Sequence, residues 1–187
     1  MRFAFVLIGV TTKREVFYKC HLARGDTFLF TMEKELICSF FGHRNVEINE
    51  ELFENIKREV VKALEFGCRT FYFGGYGDFD DYCWQTVTSL KKSFPELKIK
   101  RVYCVAQEKF LYKPVRYFKR ENFDDVIYLP PSFDGFYKSI YFRNCAMIDV
   151  SAYVVFYAEE REDSGAYKAL KYANRKKRDK VIVNLWQ

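Results

Sequence analysis

The chain has 187 residues and a mass of 22.4 kDa, which fits a single domain or one domain with a short appendage. Its 49% hydrophobic and 30% charged residues exclude an intrinsically disordered chain, and no apolar run approaches the roughly 18 residues of a membrane-spanning helix. The formal net charge of +6 is uneven: residues 1–31 carry +3, residues 168–180 carry +6 and the segment between them carries −3. This distribution weakens the inference of a chain-wide nucleic-acid-binding surface.

The six cysteines and two histidines offer little for metal binding or nucleophilic catalysis. No two cysteines form a C-x-x-C pair, and two histidines are too few for a multi-histidine metal site. Two histidines also provide little basis for a Ser-His-Asp catalytic triad. We therefore expect no metal, no cofactor, reduced thiols and a cytoplasmic protein that does not bind membranes.

The first 31 residues differ from the rest of the chain, and residues 11–31 show no helical or strand periodicity. An apolar run at 3–10 precedes a mixed, basic stretch, and Met32 lies directly before the first clear strand. Because chain ends are often loosely held, we predict that the folded domain occupies residues 32–187. Residues 1–31 would be an appendage or an over-extended reading frame.

From residue 36 onwards, short apolar runs alternate with amphipathic helical patterns. Strands are predicted at 36–41, 70–73, 99–105, 125–129, 152–157 and 181–185, and helices at 50–66, 78–94, 139–149 and 166–178. This alternation implies right-handed βαβ units. The predicted fold class is α/β, a Rossmann-like three-layer αβα sandwich with a mainly parallel sheet.

Ligands of such sheets bind at the carboxyl ends of the strands, in the loops that enter the helices. The loop Gly74-Gly75-Tyr76-Gly77 can bring backbone N–H groups against a phosphate at a helix N-terminus, or it is a plain turn with Asp78 as N-cap. Arg44 and Arg143 offer planar guanidinium groups for a phosphate, or they are ordinary solvated arginines.

Two further elements complete the predicted site. Ser164 and Gly165 enter the last helix, where they can receive an anion or form a plain turn with Ser164 as cap. Asp80, in the first turn of the second helix, can hold ribose hydroxyls or a bound water, or it simply opposes the helix dipole. The convergence of four anion-friendly elements on one sheet edge is more informative than any one of them. The candidate ligand-binding residues are Gly42, His43, Arg44, Gly74, Gly75, Gly77, Asp80, Arg143, Asn144, Ser164 and Gly165.

Four motifs occur in order: F-x-G-H-R after the first strand, G-G-x-x-x-F-D after the second, R-N-x-x-M-x-D before the fifth and S-G-A-Y-K-A-L-x-Y-A after it. This order resembles the SLOG superfamily, which joins the LOG-like and the Smf/DprA proteins, and the chain looks closest to the YpsA-like branch. The matched stretch covers residues 36–185. The resemblance implies a Rossmann-like sheet of strand order 3-2-1-4-5 that binds a nucleotide or nucleotide-derived ligand, in a sensor or regulator.

The resemblance also implies an enzymatic alternative. Some LOG-like proteins are phosphoribohydrolases that cleave the N-glycosidic bond of a nucleoside monophosphate, with an R-K-x-x-M motif and a catalytic Glu. Arg143 matches the first motif, but no Glu lies between Gly165 and the end of the chain. An enzyme would rely on Arg143 with Asp80 or Asp149 as its carboxylate, so we rank ligand binding above hydrolysis.

The Smf/DprA side of the superfamily implies binding of single-stranded DNA. Residues 106–123 interleave aromatic rings with cations, as single strands require, although such a segment is also typical of a solvated loop. The residues are Lys109, Phe110, Tyr112, Lys113, Arg116, Tyr117, Phe118, Lys119 and Arg120. The expected partners are thus a nucleotide-like small molecule, single-stranded nucleic acid as an alternative, and a second copy of the chain in a homo-oligomer.

Overall fold

A computed structural model of the chain describes residues 4–10, 15–21, 27–33, 35–47, 49–111, 120–129 and 135–186. The chain forms two compact units, residues 1–36 and residues 37–187. The prediction that residues 1–31 are an appendage stays a prediction.

The first unit contains a three-stranded antiparallel sheet in the order β1-β2-β3. Its strands are β1 (Ala4–Val10), β2 (Glu15–His21) and β3 (Thr27–Glu33). Val16 pairs with Met32 and with Val10, so β2 is the central strand. The sequence analysis found no element between residues 11 and 31, and this was wrong. Pairing between neighbouring segments defines these strands, and periodicity within one segment does not reveal it.

The second unit is an α/β sandwich with a six-stranded sheet, and all of its strand pairs are parallel. The strands are β4 (Ile37–Gly42), β5 (Thr70–Phe73), β6 (Lys100–Val105), β7 (Asp125–Tyr128), β8 (Tyr153–Tyr157) and β9 (Val181–Asn184). The helices are α1 (Glu50–Phe66), α2 (Asp78–Ser93), α3 (Phe136–Val150) and α4 (Gly165–Arg175). The predicted Rossmann-like α/β fold is confirmed.

The strand order is β7-β6-β5-β4-β8-β9. The predicted order 3-2-1-4-5 was wrong in placing the fourth strand of this unit beside the first. The fourth strand, β7, has no buried residue and therefore lies at the sheet edge, whereas β8 is buried along most of its length and pairs with β4. The connections after β4 and β8 leave in opposite directions, which makes this pair the topological switch point of the sheet.

Two aromatic cores show how the layers pack. Phe40 and Phe41 are consecutive in β4 and therefore point to opposite faces of the sheet. Phe40 stacks on Phe73 with ring centroids 5.4 Å apart, and Phe41 stacks on Phe156 at 5.2 Å. Helix α1 packs against α2, and α3 packs against α4. The sheet thus lies between two helical layers.

Helix α1 shows why the local sequence was sufficient to predict the bounds of some elements. The Asn49 side chain accepts a hydrogen bond of 2.8 Å from the Leu52 N–H, which caps the first turn. Gly67 ends the helix in the left-handed conformation, at φ 106°, and its N–H bonds the last carbonyls. Both signals lie within a few residues of the helix that they delimit, so its predicted bounds agree with the structure.

Gly42 ends β4 where the chain passes closest to helix α2. A Cβ at this position would lie 2.4 Å from the Phe79 ring, which is fully buried. Gly42→Ala should therefore lower the free energy of unfolding by about 1–3 kcal/mol through overpacking. Gly165→Ala is the matched control, because a Cβ there meets no atom within 4 Å. Urea denaturation of the full chain measures both variants, and equal free energies of unfolding would contradict the prediction.

Candidate functional site

A cleft of about 660 Å³ opens at the carboxyl ends of β4, β5 and β8, beside the switch point of the sheet. The loops that follow these strands and the first turns of α3 and α4 form its walls. Most of the candidate residues line this one cleft: Gly42, His43, Arg44, Gly74, Asp80, Arg143, Asn144, Ser164 and Gly165.

Gly75 and Gly77 do not line the cleft. Gly75 is buried, and its N–H donates a hydrogen bond to the Asp80 carboxylate. Gly77 has φ +98°, and a Cβ there would lie 2.5 Å from the Arg44 Cα. These glycines allow two loops to pack closely, and the Gly75 N–H is not directed toward a cleft ligand as the sequence analysis predicted.

The N-terminus of α2 is covered by the loop after β4. The Asp78 N–H donates to the Arg44 carbonyl at 2.8 Å, and the Asp78 carboxylate accepts from the Val46 N–H at 3.0 Å. The first turn of this helix also carries Asp80 and Asp81. Three carboxylates oppose an anion at this point, so the first turn of α2 is poorly suited to a phosphate.

A single peptide group, the one joining Gly74 to Gly75, forms the floor of the cleft. Its carbonyl accepts a hydrogen bond of 2.6 Å from Arg143 Nη1, and its N–H donates to Asp80. Arg143 is only 3% exposed, and it also donates to the Cys104 carbonyl at 3.0 Å and to the Asn144 amide oxygen at 3.0 Å. The arginine thus fixes the floor with most of its donors while its charge stays in the wall of the cleft.

Asp80 is a buried carboxyl group that lines the cleft. Burial raises its pKa to about 7, although the Gly75 N–H and the Arg143 charge both favour the ionised form. A carboxyl group with such a pKa changes its charge near neutral pH. It is therefore the group in this cleft that is best suited to a proton-dependent role.

His43 connects the two loops at the switch point. Its Nε2 accepts a hydrogen bond of 2.9 Å from the Glu159 N–H, and its Nδ1 lies 3.4 Å from Ser164 Oγ. Burial, and next the Arg161 charge, lower the pKa of His43 and keep the ring neutral. Because Nε2 accepts, Nδ1 carries the proton in this neutral ring. His43 thus holds the two walls together, a role that the sequence did not reveal.

The side chains around the cleft are mainly cationic. Five cations contribute to its lining (Arg44, Lys138, Arg143, Arg161 and Lys168) against the two carboxylates of Asp80 and Asp163. Asp163 lies 3.1 Å from Arg161 and is paired with it. Arg44 and Lys168 are exposed at the rim. The side chains that line the cleft thus carry more positive than negative formal charge.

The first turn of α4 faces open space in the cleft. The Ser164 side chain accepts a hydrogen bond of 3.3 Å from the Tyr167 N–H, and the first intrahelical hydrogen bond is donated by the Lys168 N–H. The N–H groups of Gly165 and Ala166 therefore have no acceptor within the helix. Both residues line the cleft, and a Cβ on Gly165 would meet no atom within 4 Å. Of the predicted anion-binding turns, this one is open to a ligand.

Aromatic side chains of α3 also form part of the rim of the cleft. Tyr137 is 81% exposed and Tyr141 is 36% exposed; they lie one turn apart on α3 and both line the cleft. The Tyr76 ring lies 5.8 Å from the Arg143 guanidinium carbon. The sequence analysis missed both rim tyrosines, although their i,i+4 spacing beside Lys138 was a usable signal.

Several other predictions fall outside the described residues or concern features that the described part of the chain lacks. Of the aromatic and basic segment 106–123, residues 112–119 are not described. In the described ranges no helix is long and apolar enough to cross a membrane. The His, Cys, Asp and Glu side chains described do not form a group of three or more that could hold a metal ion. Five cysteines are buried free thiols: Cys38, Cys68, Cys83, Cys104 and Cys145.

No protein-family model matches this chain, and no curated protein matches it. Several solved structures do match this chain. DNA processing protein A (DprA) from Streptococcus pneumoniae has a TM-score of 0.54 and 16% identity over 80% of this chain. The match covers 50% of that protein, so this chain spans about half its length.

DNA processing protein A from Helicobacter pylori, whose structure concerns a single-stranded DNA binding mode, has a TM-score of 0.52 and 11% identity. That match covers 98% of this chain and 80% of the other. At these identities the similarity establishes the fold. The chain shares the Rossmann-like fold of the DNA processing A proteins.

Proposed function

We propose that the cleft binds a phosphate-bearing nucleotide derivative, and that the second unit is a SLOG-type sensor or regulatory domain. The observation that carries this proposal is the distribution of charge: exposed cations line the same cleft as the open first turn of α4. A helix N-terminus flanked by cations favours an anion through both its N–H groups and its dipole.

The phosphate would lie at Gly165 and Ala166, within reach of Arg44 and Lys168 from the two sides of the cleft. Arg143 contributes charge from the wall, since its Nη1 and Nε are already bonded to protein acceptors. The exposed side chains of Tyr137 and Tyr141, which line the cleft, would contact a nucleobase. Asp80 would meet ribose hydroxyls or a bound water between them.

Single-stranded DNA is the second candidate ligand. It is supported by the fold shared with the DNA processing A proteins, one of which is described as binding single-stranded DNA. A cationic cleft with an aromatic rim also suits one nucleotide of a strand.

Hydrolysis of an N-glycosidic bond is a third candidate, favoured by the raised pKa of Asp80. Release of free adenine from AMP, lost in Asp80→Asn, would support hydrolysis.

Gly165→Glu tests the phosphate site directly. The new carboxylate would occupy the open space at the first turn of α4, where the dipole stabilises it, so the fold should keep its stability. We expect the affinity for ADP-ribose, measured by calorimetry, to fall at least about tenfold through charge repulsion.

Gly165→Gln is the matched control for this variant, since it adds the same bulk without charge. Thermal unfolding of the ligand-free proteins checks that both variants fold. Equal affinities of the Glu and Gln variants would contradict a phosphate site at this turn.

The raised pKa of Asp80 predicts that ligand binding depends on pH. Because its pKa is about 7, the carboxyl group is mostly charged at pH 8 and mostly neutral at pH 6. Loss of this negative charge should raise the affinity for ADP-ribose by about three- to tenfold as the pH falls from 8 to 6. The ligand itself keeps its charge in this range, because each phosphorus of its diphosphate carries one ester and one anhydride bond and no proton that titrates near neutral pH.

Asp80→Asn keeps an oxygen that can accept from the Gly75 N–H and removes the titration. Its affinity at pH 8 should match that of the wild type at pH 6 and should vary little with pH. His43 is unsuited to cause the effect, because its lowered pKa keeps it neutral over most of this range. The same pH profile in the variant as in the wild type would exclude Asp80 as the titrating group.

A further inference from the structure

Helix α3 exposes apolar side chains on its outer side. Phe142, Ala146 and Val150 are spaced by four residues, so they follow one another along one side of the helix. Val150 is 39% exposed, and Phe142 and Ala146 are partly exposed. Helix α1, by contrast, exposes a mainly charged side. Apolar residues on the outer side of a helix, in addition to its inner side, are typical of a helix that a further surface covers.

The same side of α3 carries two exposed charges, Lys138 and Asp149. Lys138 lies one turn before Phe142, and Asp149 lies two turns after it. A helix dipole favours acids in the first turn and cations in the last turn, so both charges have the sign that the dipole opposes. Arg143, the other charged side chain described in α3, is buried. The stability of α3 itself therefore gives no reason for these two charges, which points to an interaction outside the helix.

Neighbouring groups hold Asp149 at the surface. Its carboxylate accepts a hydrogen bond of 2.8 Å from the Tyr172 hydroxyl of α4, a neutral donor. Lys180 Nζ donates to the backbone carbonyls of Asp149 and Ser151, at 2.8 Å each. Another element thus supplies the cation that favours the C-terminus of α3, while the carboxylate of Asp149 stays at the exposed side of the helix.

The outer side of α3 is complementary to itself. When a helix packs antiparallel against a second copy across a twofold axis, residues at equal distances from its centre meet. Lys138 and Asp149 are centred between residues 143 and 144, and Phe142 and Ala146 are centred at residue 144. A second copy would therefore bring opposite charges together at both ends of the contact and a large ring opposite a methyl group in its middle.

We infer that this side of α3 binds a second copy of the chain, with the two α3 helices antiparallel across a twofold axis. Lys138 forms an ion pair with Asp149 of the partner subunit, and the symmetry repeats this pair. Phe142 packs against Ala146 of the partner subunit between the two ion pairs. The inference is independent of the proposed nucleotide site, because none of its contacts requires a ligand.

The interface would reach the edge of the cleft. Helix α3 has 15 residues and is about 22 Å long, so the first turns of the two helices, and with them the two clefts, lie at opposite ends of the contact. Lys138 lines the cleft as well as the outer side of the helix. Asp149 of the partner subunit would thus add a carboxylate at the edge of each cleft.

The test uses two charge reversals in the full chain, measured by sedimentation equilibrium over a wide range of protein concentration. Lys138→Glu leaves two acids on the outer side of α3, and Asp149→Lys leaves two cations. Each variant alone would bring like charges together at both ends of the contact. An equimolar mixture of the two variants would again bring opposite charges together at both ends.

We expect the wild type to form a dimer and each variant alone to dimerise at least about tenfold more weakly. The mixture should dimerise with an affinity close to that of the wild type. Both new charges have the sign that the dipole of α3 favours, so the fold should be kept, and circular dichroism checks this. Lys57→Glu is the matched control, since it makes the same charge change on the exposed side of α1 and should leave dimerisation unchanged.

A wild type that stays monomeric at every concentration would overturn the inference. A dimer that neither charge reversal weakens would also overturn it, because the two copies would then meet at another surface. If both variants are folded and monomeric but their mixture forms no dimer, the antiparallel pairing of Lys138 with Asp149 is excluded.

Discussion

The peptide group between Gly74 and Gly75, held by Arg143 and Asp80, is the contact on which the rest of the site depends. Arg143 comes from α3 and Asp80 from α2, so this one peptide connects the two helical layers at the edge of the sheet. An arginine and a carboxylate that are both buried are costly unless hydrogen bonds satisfy them. Here the backbone supplies those bonds, and the floor of the cleft is fixed as a result.

This floor explains the distribution of charge above it. The buried groups are bonded to protein partners, whereas the cations that remain for a ligand are exposed at the rim, as Arg44 and Lys168 are. Exposed cations have little to gain from surface carboxylates in water, so their clustering around one opening is informative. The His43 bridge to Glu159 and Ser164 keeps the two cationic walls at a fixed separation.

Sequence predicted those features whose causes lie close together in the chain. The bounds of α1 follow from Asn49 and Gly67, and the cleft follows from the rule that strand ends of a parallel sheet share an edge. The place of β7 depends on how deeply each strand is buried, which a short apolar run does not show. The roles of Arg143 and His43 were missed for a related reason: their hydrogen-bond partners lie 69 and 116 residues away.

The position of Asp80 bears on whether the cleft favours binding or turnover. The LOG-like motif that the chain resembles would place its catalytic Glu in the last helix, but the first turn of α4 reads Gly165-Ala166-Tyr167-Lys168. No Glu follows Gly165 in the chain, and the buried carboxyl group that lines the cleft, Asp80, lies in the first turn of α2 and accepts from the Gly75 N–H. A helix N-terminus beside a lysine stabilises an anion in its ground state, and such uniform binding does not lower a reaction barrier. This arrangement supports the proposed binding function more than the proposed hydrolysis.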